Sequence, residues 1–387
     1  MAASAASVSE FLPASERFRD FRRILMTVDN DGEGWRYALT LGAALAAGGH
    51  EIVLATFGSV PSRQQRREAA AIAGVALRSC GHRLAAPEHC WNDLHAAGKW
   101  LLDLAAEMQP DVVHLNHFGH AALPWQCPVV VSAHSCAHVW WQAVHHMPPP
   151  SSWRGHGDAV AADLKAADAV VVPTQAMLRS LRQHYGVLGA TRVIADGCAA
   201  VDHPVQVKDH YILSAGALQD PARNMDALAV AAKRLSWSVC IADQGQAAAA
   251  VPDRFTGLRL LGPLNGAQLQ RWIAHASIYA QPSRCEPYGL GIMEAAAAGC
   301  ALVLGDVACL RELWDGAALF VDPDDADELA RVLTGLIDDP LRRANFGVRA
   351  RLRARRYTSA AMAEGYAALY AELSWRHPQR AAHAQLM

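Results

Sequence analysis

The chain has 387 residues, of which 52% are hydrophobic and 19% charged, with a formal net charge of −2. That length accommodates two domains of roughly 100–200 residues each, and the hydrophobic share excludes a chain too polar to bury a core. The near-neutral charge argues against nucleic acid as the main partner, and the absence of any run of about 18 apolar residues argues against a transmembrane segment.

Residues 1–22 are small and polar, carry Glu10 and Glu16, and lack the apolar stretch of a signal peptide. They read as a disordered N-terminal arm. From Ile24 the pattern alternates: Ile24–Val28 as a strand, Trp35–Ala47 as a helix ending at Gly48-Gly49, His50–Thr56 as a strand and Trp91–Met108 as a helix. Val112–His114, Val129–Ser132, Ala169–Val172 and Arg192–Ile194 are further short apolar runs. Continuous aliphatic runs separated by longer amphipathic stretches indicate parallel β-α units with both sheet faces covered.

Ala199–Asp209 has no clear period and reads as a linker, after which the alternation restarts. Tyr211–Ala215, Ser238–Ala242, Leu258–Leu261, Ile278–Ala280, Ala301–Leu304 and Ala318–Val321 read as strands. Met225–Arg234, Gln268–Ala276, Asp324–Asp338, Leu341–Arg355 and Thr358–Trp375 read as helices. The expected fold is therefore α/β, with two Rossmann-like, doubly wound parallel-sheet domains facing a cleft. The first spans 23–200 and the second 201–357, and 358–387 hold a last helix and tail. In open sheets of this kind ligands bind outside the carboxyl ends of the strands.

Nine scattered cysteines (Cys80, Cys90, Cys127, Cys136, Cys198, Cys240, Cys285, Cys300 and Cys309) form no C-x-x-C pair. They favour a reducing, cytoplasmic compartment over a disulfide framework, with a peripheral position at the inner face of a membrane left open.

Five constellations carry candidate chemistry. Glu286 is followed by Pro-Tyr-Gly, and Glu294 sits in the opening turns of an alanine-rich helix. Two carboxylates near a helix N-terminus combine acceptors for sugar hydroxyls with amides that attract phosphate, which suits a sugar nucleotide. The loop after the first strand contains Gly32 and Gly34 but not a G-x-G-x-x-G fingerprint, which disfavours a nicotinamide dehydrogenase. Histidines form H-x-x-H-x-x-H at His114, His117 and His120, open to a metal reading or to polar loop residues, and His134 stands at a strand end. In the second half Gly216 ends a strand and Arg223 opens a helix, where a guanidinium can hold a diphosphate bidentately. Trp140, Trp141 and His145, ahead of a proline-rich loop ending at Trp153, offer aromatic faces on the acceptor side.

Together these segments resemble the retaining glycosyltransferases of family 4, which have the GT-B fold. Glu286–Glu294 resembles that family's E-x7-E signature, and Pro282-Ser283 precedes it as expected. Pro110–His114, Val131–His134, Val172–Thr174, Ile194–Gly197 (with Asp196 where asparagine is usual), Gly299–Val303 and Arg311–Leu313 resemble further family segments in order. The resemblance implies transfer of a sugar from a UDP- or GDP-type donor to a glycan, lipid-linked or small-molecule acceptor, with no metal or other cofactor.

It implies that Glu286 contacts the donor sugar, Glu294 the ribose, the backbone of Tyr288, Gly289 and Leu290 the phosphates, and His134 the transferred sugar. It also implies a C-terminal helix that crosses back to the first domain. The family's strand-end arginine and following lysine bind the diphosphate. Here Ala217 stands at the arginine position and Arg223-Asn224 at the lysine position. The sequence thus leaves open an active transferase, a catalytically weak or inactive nucleotide-sugar-binding relative, and a metal-dependent hydrolase at the histidines.

Overall fold

Aliphatic runs too short for stable helices form two all-parallel sheets, and the amphipathic segments between them cover both faces. The computed structural model describes residues 22–30, 33–82, 91–135, 137–186, 188–199, 206–243, 252–262, 264–286 and 289–376. Residues 1–21 of the N-terminal arm, Gly32, Tyr288 and most of the linker lie outside them.

In the first lobe the strands are β1 (Arg23–Asp29), β2 (Glu51–Phe57), β3 (Val75–Ser79), β4 (Val112–Leu115), β5 (Val129–Ser132), β6 (Ala169–Val172) and β7 (Thr191–Val193). The helices are α1 (Glu33–Ala47), α2 (Arg63–Ala70), α3 (Trp91–Met108), α4 (Ala137–His145), α5 (Arg154–Ala166) and α6 (Gln175–Tyr185). The sheet order is β3-β2-β1-β4-β5-β6-β7. In β4, β5 and β6 every residue is buried, as expected for strands covered on both faces.

The second lobe holds β8 (Asp209–Gly216), β9 (Ser238–Asp243), β10 (Arg259–Leu260), β11 (Ala276–Gln281), β12 (Ala301–Gly305) and β13 (Ala318–Val321). Its helices are α7 (Met225–Ala232), α8 (Gly266–His275), α9 (Leu290–Ala297), α10 (Ala308–Trp314), α11 (Ala326–Asp338) and α12 (Pro340–Ala354). The order is β10-β9-β8-β11-β12-β13. Strand order reverses direction between β1 and β4 and again between β8 and β11, which creates a ligand-binding crevice at each carboxyl edge.

The last helix, α13 (Ser359–Arg376), leaves the second lobe and packs on the first. Its buried residues Met362, Ala363, Tyr366, Leu369, Tyr370 and Leu373 recur at helical spacing and join one core with Leu41 and Leu45 of α1 and with Val112 and Val130. Tyr37 donates through its hydroxyl to that of Tyr366 at 2.7 Å, and Tyr366 lies 2.7 Å from Ser132 Oγ. Polar groups this deep are costly unless paired, so the hydroxyls fix the angle at which α13 seats.

Two stretches of chain cross between the lobes side by side. The Cys198 amide donates to the Tyr357 carbonyl at 3.0 Å, and the Ser359 amide donates to the Cys198 carbonyl at 2.8 Å. A Cβ at position 197 would meet the Thr358 backbone well inside contact distance, so Gly197 lets the strands touch.

Boundaries move where glycine or a cap decides them. Helix α1 starts at Glu33 rather than Trp35, which brings Glu33 and Gly34 into its first turn. Trp140, Trp141 and His145, ahead of the proline-rich loop, lie on α4. The seven cysteines among the described residues carry free thiols, and no described helix is long and apolar enough to cross a membrane.

Candidate active site between the two lobes

Both crevices open onto one cleft, and its walls carry charged side chains that are almost wholly buried. Arg223 follows the loop after β8 and is aimed by its neighbours. Asn224 adopts the left-handed conformation (φ 58°) at the start of α7, with its amide nitrogen donating to the carbonyls of Pro282 at 2.9 Å and Pro323 at 2.6 Å. Gly216 has φ 149°, and a Cβ there would lie 3.3 Å from Arg223 Cδ. The glycine is what lets the arginine cross the strand end.

Arg223 donates to Glu286 in its own lobe and, at 2.6 Å, to Glu33 at the start of α1 in the other lobe. Burial alone would lower the Arg223 pKa, but the two carboxylates raise it beyond its ordinary value. It is a permanent cation held between two anions.

Glu286 sits beyond the end of β11. Its carboxylate accepts from Arg223, from Gln281 Nε2 at 2.6 Å, and from the Gly289 amide at 3.0 Å. Burial pushes its pKa up from the usual carboxylate range, while Arg223 pulls it back. Gly289 (φ 63°) caps α9 without a side-chain hydrogen bond, and the first-turn amides beyond it suit an anion. The Gly289 amide itself is committed to Glu286.

Glu294, one turn into α9, pairs with Arg36 of α1, again across the lobes. Its other oxygen, Oε2, is buried and has no hydrogen-bond partner among the described residues. An acceptor in that state fits a ligand hydroxyl. The Leu290 side chain is buried in the core formed by α1 and α13 of the first lobe, which leaves its backbone at the first turn of α9.

Beyond β5, His134 is 4% exposed and lies edge-on to Tyr37, with ring centroids 4.3 Å apart. Its Nδ1 is 3.3 Å from Asp196 Oδ2. The aspartate that departs from the family turn thus faces the cleft histidine. His134, Thr174, Asp196, Glu286, Gly289 and Cys309 line a cavity whose free space, about 20 Å³, holds little more than one water. Further clasps close the mouth. Glu312 accepts from the Gln175 and Ala176 amides at 2.7 and 2.8 Å, capping α6 from the opposite lobe, and His146 Nε2 lies 3.4 Å from Asp324 Oδ2.

Residues 34–198 match the model of Glycosyltransferase Family 4, and residues 209–339 match that of Glycosyl transferases group 1. The chain belongs to the family 4 type of glycosyltransferases. It is 38% identical over 103 residues to a phosphatidyl-myo-inositol mannosyltransferase of Mycolicibacterium smegmatis, covering 26% of this chain and 27% of the relative. It is 37% identical over 110 residues to a D-inositol 3-phosphate glycosyltransferase of an Arthrobacter species, covering 27% and 26%. The matches thus span about a quarter of these curated relatives.

Among solved structures, sucrose-phosphate synthase of Thermosynechococcus elongatus superposes with a TM-score of 0.75 at 19% identity, over 91% of this chain and 99% of that one. HepE of Anabaena, solved in complex with UDP, superposes with a TM-score of 0.69 at 15% identity, over 91% and 100%. At those identities the likeness establishes the GT-B fold.

The cleft between the lobes brings together Arg223, Glu286, Glu294, Gly216, Gly289 and His134. Gly34 lies in the first turn of α1, beside Glu33. Glu33 itself was not singled out from the sequence, although its place between Gly32 and Gly34 at a strand-to-helix turn was the available signal. Arg284, a conceivable substitute for the missing strand-end cation, turns to Asp324 at 2.8 Å and to Asn224 Oδ1 at 2.7 Å instead. Trp140, Trp141 and His145 cluster together on α4, Trp141 lying 4.0 Å from the His145 ring and 4.9 Å from Trp153 between centroids.

The H-x-x-H-x-x-H histidines are spoken for. His114 contacts Tyr370 OH and Ser132 Oγ, both at 2.6 Å. The Leu94 carbonyl accepts from His120 Nε2 at 2.8 Å, so a neutral His120 must accept at Nδ1 from His117 Nε2, at 2.6 Å. His117 Nδ1 then accepts from the Thr27 hydroxyl at 2.8 Å. All six ring nitrogens are engaged within the protein, which removes the lone pairs a metal would need.

Burial, reinforced by His134, pushes His114 down to about 3, and burial pushes His117 and His120 down as well. These pKa values are lower in the folded than in the unfolded chain. Their stabilising contribution is therefore complete above the unfolded histidine value of about 6.5, and it falls as pH drops toward about 3. Urea denaturation should show stability declining from pH 7.5 to pH 5, with a shallower decline in His114→Gln. Equal slopes would refute the assignment.

Proposed function

We propose that this protein is a retaining, metal-independent hexosyltransferase that moves a sugar from a UDP- or GDP-type donor to a glycan, lipid-linked or small-molecule acceptor, as in polysaccharide biosynthesis. The observation that carries this reading is the Arg223–Glu286 pair, set beside the open first turn of α9 with Glu294 one turn further on. Glu294 would take the ribose hydroxyls, Glu286 those of the donor sugar, and Arg223 with the α9 amides the diphosphate. His134, oriented by Asp196, faces the position of the transferred sugar. The UDP bound in HepE supports a uridine donor, and the inositol-type acceptors in the names of the curated relatives support a polyol acceptor.

In this mechanism the bond from the anomeric carbon to the phosphate oxygen breaks as the acceptor oxygen adds on the same face. The leaving phosphate oxygen takes the acceptor's proton. Preorganised donors at that oxygen supply the stabilisation, and no carboxylate nucleophile is required. Incubation with UDP- and GDP-hexoses and NMR of the product tests it: an α-linked product from an α-linked donor is expected, and an inverted linkage would overturn retention.

A second reading is favoured by one observation. Ala217 removes one expected cation, and Glu33 neutralises much of the remaining one, so the cleft would hold nucleotide sugar with little turnover. In that case Ala217→Arg raises a weak rate of donor hydrolysis. Wild-type turnover well above background would exclude this reading.

A further inference from the structure

We propose that the solvent-facing side of α12, in the second lobe and away from the cleft, docks on an anionic lipid bilayer. Between Pro340 and Ala363 the chain carries seven of its 35 lysines and arginines and no acidic residue, although the whole protein is slightly negative. The seven are Arg342, Arg343, Arg349, Arg351, Arg353, Arg355 and Arg356. Arg343 donates to the Leu336 and Ile337 carbonyls, with Asp339 as its neighbouring carboxylate, and Arg353 donates to the Leu313 and Asp315 carbonyls. Arg342, Arg349, Arg355 and Arg356 are exposed.

The same face is apolar along its centre. Leu341, Val348 and Leu352 are 84%, 60% and 56% exposed, whereas Gly347, Ala350 and Ala354 of the opposite face are buried in the lobe. At about 100° per residue the three aliphatic side chains fall within roughly 40° of one another. Arg342, Arg349 and Arg356 flank the stripe on one side, and Arg351 and Arg355 on the other.

An aliphatic stripe bordered by arginines on both sides is the geometry of a helix lying in a membrane interface. There the aliphatic groups enter the acyl boundary while long cationic side chains reach the headgroups. The neighbouring α11 shows the alternative: its Leu329, Leu333 and Leu336 are all buried. A protein partner would be expected to find an aromatic anchor or a pocket, and the exposed residues of α12 include no aromatic side chain. The absence of acid across two dozen residues selects an anionic rather than a neutral surface.

Flotation of the full chain with phosphatidylcholine vesicles, with and without phosphatidylglycerol, tests this. The protein should float with phosphatidylglycerol vesicles, remain behind with neutral ones, and be released by high salt. Both L341S/V348S/L352S and R349Q/R355Q/R356Q should weaken binding by at least about tenfold while keeping the wild-type melting temperature and UDP affinity. Absence of flotation, or flotation unchanged in both variants, overturns the proposal. So does tighter binding to polyglutamate than to vesicles, which would assign the face to an acidic protein. A concentration-dependent dimer dispersed by the triple serine variant would assign it to a second copy and overturn the proposal equally.

Discussion

Arg223→Gln is expected to abolish nucleotide-sugar binding and to lower stability by about 3–5 kcal/mol, the cost of leaving buried charge without its partner. The guanidinium is the shared counter-ion of Glu286 and Glu33, both almost wholly buried. Without it, Glu286 retains Gln281 and the Gly289 amide, and its folded pKa rises further above the unfolded value. A carboxylate raised in this way destabilises the fold at high pH and is relieved as protonation sets in at lower pH. The gap between wild type and variant in urea denaturation should therefore be wider at pH 8 than at pH 5. A gap below about 1 kcal/mol that is independent of pH would mean that the pair contributes little and that the site is wrongly centred.

Glu33→Gln has the opposite expected sign for binding. Three carboxylates (Glu33, Glu286, Glu294) and two guanidiniums (Arg36, Arg223) meet in the closed cleft. A diphosphate adds further negative charge there, so it must take the place of Glu33 on Arg223. A charge-assisted hydrogen bond of about 1.5–3 kcal/mol converts to about ten- to a hundredfold in affinity. Glu33→Gln should accordingly bind UDP at least about tenfold more tightly in calorimetry. Weaker binding in that variant would show that Glu33 assists the donor rather than competing with it. The lobe-opening step would also become easier, because one of the ties between α1 and the second lobe is lost.

Most of the scaffold can be read from residue pattern. Runs such as Val-Val-Val at 129–131 and Ala-Leu-Val-Leu at 301–304 are continuous and aliphatic, and strands buried on both faces require that composition. The strand-end positions of Glu286, Arg223 and His134 follow from the same pattern once the two sheets are recognised. The elements between residues 58 and 186 other than β4, β5, β6 and α3 are less legible. Strand β3 lies at the edge of its sheet and is half exposed, so Val-Ala-Leu-Arg-Ser shows no clean period. Helix α4 has no fully buried residue, and its tryptophans pack on one another and on Trp153.

The charge balance of the cleft was least legible of all. Arg223 and Glu33 are 190 positions apart, and Arg36 and Glu294 are 258 apart. Such pairs form where the two lobes meet, and no local pattern encodes them. The histidine triplet fails as a metal motif for a similar reason: Thr27, Leu94, Ser132 and Tyr370, brought in by folding, use its nitrogens.

The central claim is that the cleft between Arg223, Glu286 and Glu294 holds a nucleotide-diphosphate sugar. Its most direct test is calorimetric titration of wild type and Glu294→Ala with a panel of UDP- and GDP-sugars. One donor should bind the wild type, and Glu294→Ala should weaken it by about tenfold or more, the loss of a charged acceptor to ribose hydroxyls. No binding of any donor to the wild type, or equal affinity for both proteins, would contradict the account.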